Sequence, residues 1–465
     1  MLAGVAALAV RPAFGQRSKP APQRPSAAAA AEVDVIVVGA GAAGIAAARR
    51  LSAAGRSFTL VEATARMGGR CVTETTSFGI PFDRGAHWIH TPAANPLLAS
   101  QTGLEIYPAP SGLRVRIGRR YAREGELEDY LAAIVRANRA IAEAARGRTD
   151  ADCKGALPRD LGEWRSTVEF ALGPYGSARD LDEISAQDLS KSVERDTGAF
   201  CRQGYGALLA KFAEGIPVEL NSPVTEVEFT GRNALVLATT PRGKLSGRYM
   251  IVTASTNVLA AERIRFEDGL PRRQLDALDK LKLGSFDHIA LELPGNPLGL
   301  RRDDVVFEKS ADRRTAALLA NVSGTSLSLV EVGGRFGREL VAKGEPAAVD
   351  FAVEWLAGMF GTDVKRALGR RQVTNWNAEP WTLGALSTAA PGGQWARKAM
   401  MEPIRNRLFF AGEAVHETLW GTVAGAWESG ERAANAVLRR IAGLADSEAP
   451  KAKPAPTRQR RRERR

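Results

Sequence analysis

Cysteine is nearly absent from this chain: Cys71, Cys153 and Cys201 stand far apart among 465 residues, with no CxxC pair. That argues against a disulfide framework and against a zinc site, so no metal is expected. Histidine is as scarce. His87, His90, His288 and His416 are the whole set, and any acid–base chemistry at neutral pH has few imidazoles to draw on. No apolar run reaches the roughly 18 residues that would suggest a membrane-spanning helix. Basic excess is also missing from the body of the chain. The net charge is +12, but the last fifteen residues hold eight Lys/Arg against one Glu, and residues 1–31 hold four Lys/Arg and no acid. A body so close to neutral has no cationic surface to follow a phosphate backbone, and a nucleic-acid partner is not expected.

The two tails read as separate from the folded part. "KAKPAPTRQRRRERR" is expected to be a disordered basic end. The opening "MLAGVAALAVRPAFGQ" is similar to the apolar core and cleavage region of an export signal without its basic start. Export to the periplasm is the expectation drawn from it, with the cytoplasm as the alternative. Between the tails, 45% hydrophobic content over more than 400 residues predicts a large core divided between two domains.

The first chemical signal is "VDVIVVGAGAAGIAAARR". A buried-strand run, Val33 to Val38, leads into Gly39, Gly41 and Gly44 in GxGxxG spacing and then an Ala-rich helix. This is the dinucleotide fingerprint: a tight turn, a backbone that can approach a pyrophosphate, and close helix–strand packing, with the anion at the helix N-terminus. "SFTLVE" then supplies a second strand ending in Glu62, placed to accept ribose hydroxyls. NAD and FAD share this ADP half, so the motif alone does not choose between them.

Three further stretches do. "ATARMGGRCVTET" with "FDRGAHWIH", and "RLFFAGEAVHETLWGTVAGAWESGERAANAVL" near the C-terminus, resemble the flavin-containing amine oxidases, the family of monoamine oxidases, polyamine oxidases and lysine-specific histone demethylases. The resemblance runs from about Val33 to Ile441. It implies an α/β fold with a Rossmann-like FAD-binding domain and an α+β substrate-binding domain, both discontinuous. The FAD domain would take residues 32–90, 206–284 and 373–443, and the substrate domain 91–205 and 285–372, leaving 1–31 as signal and linker and 444–465 as tail. Around FAD the resemblance places Ala43, Ala63, Arg66, Gly68, Gly69 and Arg70 near the phosphates and ribose. It places Gly85, Ala86, His87 and Trp88 near the isoalloxazine, and Val224 near the adenine. Trp381, Gly412, Glu413, Gly421, Thr422, Val423 and Ala426 close the site from the C-terminal side.

Departures from the family pattern limit what can be carried over. The motif "GSxxK", whose lysine is water-linked to flavin N5, reads Gly284, Ser285, Phe286, Asp287, His288 here. His288 therefore stands where the lysine would be and is the first catalytic candidate. His90, in "WIHT", matches a polyamine oxidase histidine at the substrate amine and is the second. The aromatic pair that flanks the flavin is replaced by Leu386 and Thr422, with Trp420 as a neighbouring wall. Ala385 occupies the position of the flavin-linked cysteine in covalent members, so FAD is expected to be non-covalent. The implied activity is oxidation of a C–N bond of an amine, polyamine or amino acid by hydride transfer to flavin N5. Oxygen or another acceptor would take the electrons. The alternatives are a related dehydrogenase or desaturase on a non-amine substrate, or a flavin-binding protein with little turnover. Arg165, Arg195 and Arg202 are candidate carboxylate clamps, and homodimerisation is left open.

Overall fold

The computed structural model describes residues 32–110, 112–193, 198–229 and 235–444. The signal-like segment, the basic tail, Arg195 and the turn expected at 230–233 lie outside the described residues. Two seven-stranded sheets organise the rest.

In the first sheet, the β-branched run Val33–Val38 pairs in parallel with Phe58–Val61 on one side and with Gly243–Val252 on the other. Leu408–Phe410 joins the last residues of that long strand, also in parallel. An antiparallel extension follows. Val236–Thr240 folds back through a hairpin whose turn is Pro241 and Arg242, and Glu226–Glu228 and Arg265–Phe266 complete the edge. One face is covered by the helices Ala42–Ala53 and Val423–Ile441, whose contacting residues are mostly alanine, so the layers lie close. The other face packs on Leu278, Ala396, Met400 and their neighbours. This is a doubly covered parallel sheet with a meander, the Rossmann-like half of a mixed α/β fold.

The second sheet runs in the order 371–373, 286–292, 327–333, 317–319, 305–308, 113–117, 120–121. Alternation along Phe286–Glu292 assigns its faces. Ile289 and Leu291 enter the core beneath the helices Gly334–Val341 and Glu345–Phe360, while Ala290 enters the core beneath Glu124–Ala144. His288 shares the Ala290 face. Because Leu281–Leu283 pairs with Ser387–Ala389, the segment entering this strand is tied to the "GALS" stretch. Among the described residues no helix is long and apolar enough to cross a membrane.

Candidate functional site

The glycine-rich turn is built as a phosphate cradle. Gly39 adopts φ +96° with Thr253 Oγ1 donating to its carbonyl at 3.0 Å, and a Cβ on Gly44 would lie 1.8 Å from that same carbonyl oxygen. No side chain caps the N-terminus of helix Ala42–Ala53, and no acid lies in its first turn. A Cβ on Gly41 would meet nothing nearer than Gly69 Cα at 3.9 Å. Open backbone at an uncapped helix start suits a pyrophosphate, so the residues present fit a dinucleotide. Glu62 is almost buried. Its carboxylate accepts from the Ala40 amide at 2.8 Å and from the Thr64 amide at 2.9 Å, which fixes it beside the turn. Arg66 donates to the Gly69 carbonyl at 2.9 Å, and burial lowers its pKa, with Arg84 adding to the effect.

Glu413 joins the C-terminal motif to the rest. Its buried carboxylate accepts from Arg70 at 2.9 Å, Ser387 Oγ at 2.7 Å and the Gly421 amide at 2.9 Å. Burial alone would raise its pKa, but Arg70 and Ser387 outweigh it and the group is held below the usual carboxylate range. Arg70 also donates to the Ala385 carbonyl at 2.6 Å. Three sequence-distant motifs therefore converge through one carboxylate. Thr422 caps helix Val423–Ile441 by accepting from Gly425 at 2.9 Å, and Ala426 lies in that first turn, its amide bonded to the Thr422 carbonyl. Gly85 approaches so closely that a Cβ there would fall 2.0 Å from the Arg70 carbonyl oxygen and 2.9 Å from the Trp376 ring. The Ala86 amide donates to the same carbonyl.

Two of the four imidazoles meet behind this loop. His87 Nδ1 lies 2.8 Å from Asp83 Oδ2. Asp83 also accepts from the Tyr205 amide, so its carboxylate is an acceptor and His87 is the donor. Burial works against a charged ring here, but Asp83 raises the His87 pKa overall. His288 Nδ1 lies 3.1 Å from the Asp83 carbonyl, which can only accept, so this ring too carries its proton on Nδ1. Its Nε2 faces Glu331 Oε1 at 3.5 Å, the outer edge of hydrogen bonding, because the two residues are directly paired across the sheet. Burial and then the neighbouring His87 push His288 down to about 4, and burial pushes Glu331 up to about 7.

The other candidates fall elsewhere. His90 stacks on Trp88 with ring centroids 6.3 Å apart, at the strand pairing of Ile89–His90 with Gly198–Cys201. Leu386 is half-buried and accepts the Gly284 amide at 2.9 Å, which brings "GALS" against "GSFDH". Trp420, expected as a neighbouring wall, is only 1% exposed and lies beneath the Arg397 guanidinium, 4.7 Å from ring centroid to cation. Val224 is buried, and Trp381 packs on the same core from its edge. His416 accepts the Leu419 amide on Nδ1 and donates from Nε2 to Glu428, a structural role. Arg165 and Arg202 are engaged with Glu169 and Glu105. Sequence reading missed Asp83, Glu331 and Trp376 as site residues. Only Asp83, beside the "RGAHWIH" motif, carried a local signal.

A doubly wound nucleotide sheet stands with a mixed sheet that holds a buried histidine against the Asp83 loop. The chain matches the flavin containing amine oxidoreductase family over residues 42–111 and 119–438, and it belongs to that family. Polyamine oxidase 4 of Oryza sativa subsp. japonica is 28% identical across 87% of this chain and 88% of its own length. Lysine-specific histone demethylase 1 homolog 3 of Arabidopsis thaliana is 26% identical across 86% of this chain, which spans 29% of that protein. The chain likewise spans 52% of human lysine-specific histone demethylase 2, at 25% identity over 86% of this chain. In fold, it resembles cyclohexylamine oxidase from Brevibacterium oxydans IH-35A, with a TM-score of 0.74 and 20% identity over 89% of this chain and all of that one. Putrescine oxidase bound to putrescine gives a TM-score of 0.74 and 19% identity, over 88% of this chain and all of that one.

Proposed function

We propose that this chain is an FAD-dependent oxidase or dehydrogenase that oxidises the C–N bond of a small amine. The observation that carries the reading is the buried imidazole of His288, held by Asp83 behind a loop stitched to Arg70 and Glu413. Gly41 and the start of helix Ala42–Ala53 would hold the pyrophosphate, and Glu62 the ribose. Thr422 and the start of helix Val423–Ile441 would favour negative charge on the ring system. With Ala385 at the usual attachment position, attachment is non-covalent. Bound there, the flavin supplies the hydride acceptor. The chain's part is to hold the substrate α-carbon at reacting distance, keep water out, and hold the amine nitrogen unprotonated. His288 would be the group for the last task.

Polyamine, putrescine and cyclohexylamine oxidases among the relatives support an amine substrate. Leu386 and Thr422 in place of two aromatic rings favour a second reading, a dehydrogenase acting on a non-amine substrate. The test is direct. Purified protein should show an oxidised-flavin absorbance spectrum, released by denaturation without proteolysis, and anaerobic addition of amines should bleach it. Protein free of flavin would end the proposal, and bleaching by a non-amine alone would transfer it to the second reading.

A further inference from the structure

The loop Phe82–His90 and the strand Phe286–Glu292 bring two imidazoles against one acid. Asp83 fixes both rings in one tautomer, His87 through its carboxylate and His288 through its carbonyl. The His288 Nε2 is left with its lone pair. His87 Nε2 and both Glu331 oxygens are buried without a hydrogen-bond partner, an expensive state unless a proton or a ligand completes it. Glu331 lies across the sheet from His288, with Oε1 3.5 Å from Nε2, and its charge also reaches His87. The other titratable groups facing the cluster are Asp83 and His87 from the loop, Asp303, and Tyr175 from the π-helical segment Ala171–Tyr175. Phe82 and Phe286 supply the apolar walls.

We propose that Glu331, acting through His288, is the positioning residue that lets this site take a proton from an incoming ammonium group. The inference rests on the amine reading above. In the step, one N–H bond of the ammonium breaks and its electron pair remains on the substrate nitrogen as the lone pair that hydride loss requires. The proton goes to His288 Nε2, and the Glu331 carboxylate balances the imidazolium formed. One cation replaces another, so no oxidant or reductant takes part. A lysine at position 288 would ordinarily bring its own charge, whereas a neutral imidazole facing an acid has room for the proton. Burial sets the working range: Glu331 ionises near 7, while His288 stays neutral on its own down to about 4.

The holoprotein labelled with ¹⁵N-histidine tests this, because only four imidazoles need assignment, with His87→Gln and His288→Gln as references. His288 should be an Nδ1–H tautomer. The His288 Nε2 resonance should move near neutrality, as Glu331 ionises, and lose that movement in Glu331→Gln. Flavin reduction by a reactive amine should rise with pH to a plateau. In Glu331→Gln it should be at least about ten-fold slower on that plateau, with flavin content retained and the limb displaced. A Glu331→Gln protein with wild-type resonances and a wild-type pH profile overturns the proposal. If that variant does not fold, the wild-type titration decides, since a His288 Nε2 resonance constant through neutrality overturns it equally. A flavin that no amine bleaches sinks the amine reading instead, and the resonances then still decide whether Glu331 and His288 share a proton.

Discussion

Arg397 shows what a single residue contributes behind the site. Its side chain is 1% exposed, forms two bonds to Asp188 at 2.7 and 2.8 Å, and donates to Ser387 Oγ, which in turn donates to Glu413. Replacing one member of a buried pair strands the other charge, at a cost of about 3–5 kcal/mol. Arg397→Leu is therefore expected to lower unfolding free energy by about that amount in urea titration and to reduce flavin content, because Glu413 loses its support. Adding Asp188→Leu should restore part of the stability, since both desolvated groups are then gone. A single variant with wild-type stability would show that solvent enters this pair. Neither residue was legible beforehand: 209 positions separate Asp188 from Arg397, and nothing in either local sequence signals a buried pair.

At the scale of elements, the nucleotide half was legible because its signals are local. The run Val33–Val38, the glycine spacing and the Ala-rich helix all depend on residues within about one turn of each other. Gly430 was not legible, because its reason lies on another helix. A Cβ there would fall 2.0 Å from the Ala43 carbonyl oxygen, where helix Val423–Ile441 crosses helix Ala42–Ala53. That contact is with backbone, which cannot turn aside. Gly430→Ala should cost about 1–3 kcal/mol by overpacking and should weaken flavin retention by moving the N-terminus of helix Ala42–Ala53. Gly358, exposed within helix Glu345–Phe360, has nothing within 4 Å of its Cβ direction. Gly358→Ala should stabilise by about 0.5–1 kcal/mol through helix propensity alone. Opposite signs in thermal unfolding of the two variants would separate packing from propensity; equal signs would remove the close helix crossing from the account.

The whole molecule carries a pH dependence set by groups buried on paired strands of its second sheet. Motif alignment brought His288 to this region, but the acid opposite it depends on the pairing of strands 286–292 and 327–333, a register that sequence alone does not reveal. Glu331 keeps its proton up to about 7 in the fold, against 4.5 for a free carboxyl. Its stabilising contribution is full below 4.5 and is lost as pH rises through about 7. His288 is depressed to about 4 against 6.5, so the unfolded chain binds a proton there that the fold refuses, and stability rises with pH across that window. The two trends oppose one another between 4.5 and 6.5 and largely cancel. Asp287, raised to about 6 by burial, adds a falling trend of its own, but it does so equally in wild type and in a Glu331 variant. The difference between the two proteins isolates Glu331. In Glu331→Gln the falling trend is gone, so unfolding free energy relative to wild type should climb with pH, by up to about 1.4 kcal/mol per pH unit. Reversible urea titrations at several pH values inside that window measure the difference. A constant offset would mean that Glu331 ionises in the fold as it does in the unfolded chain, and that the acid facing His288 is already charged before any substrate arrives.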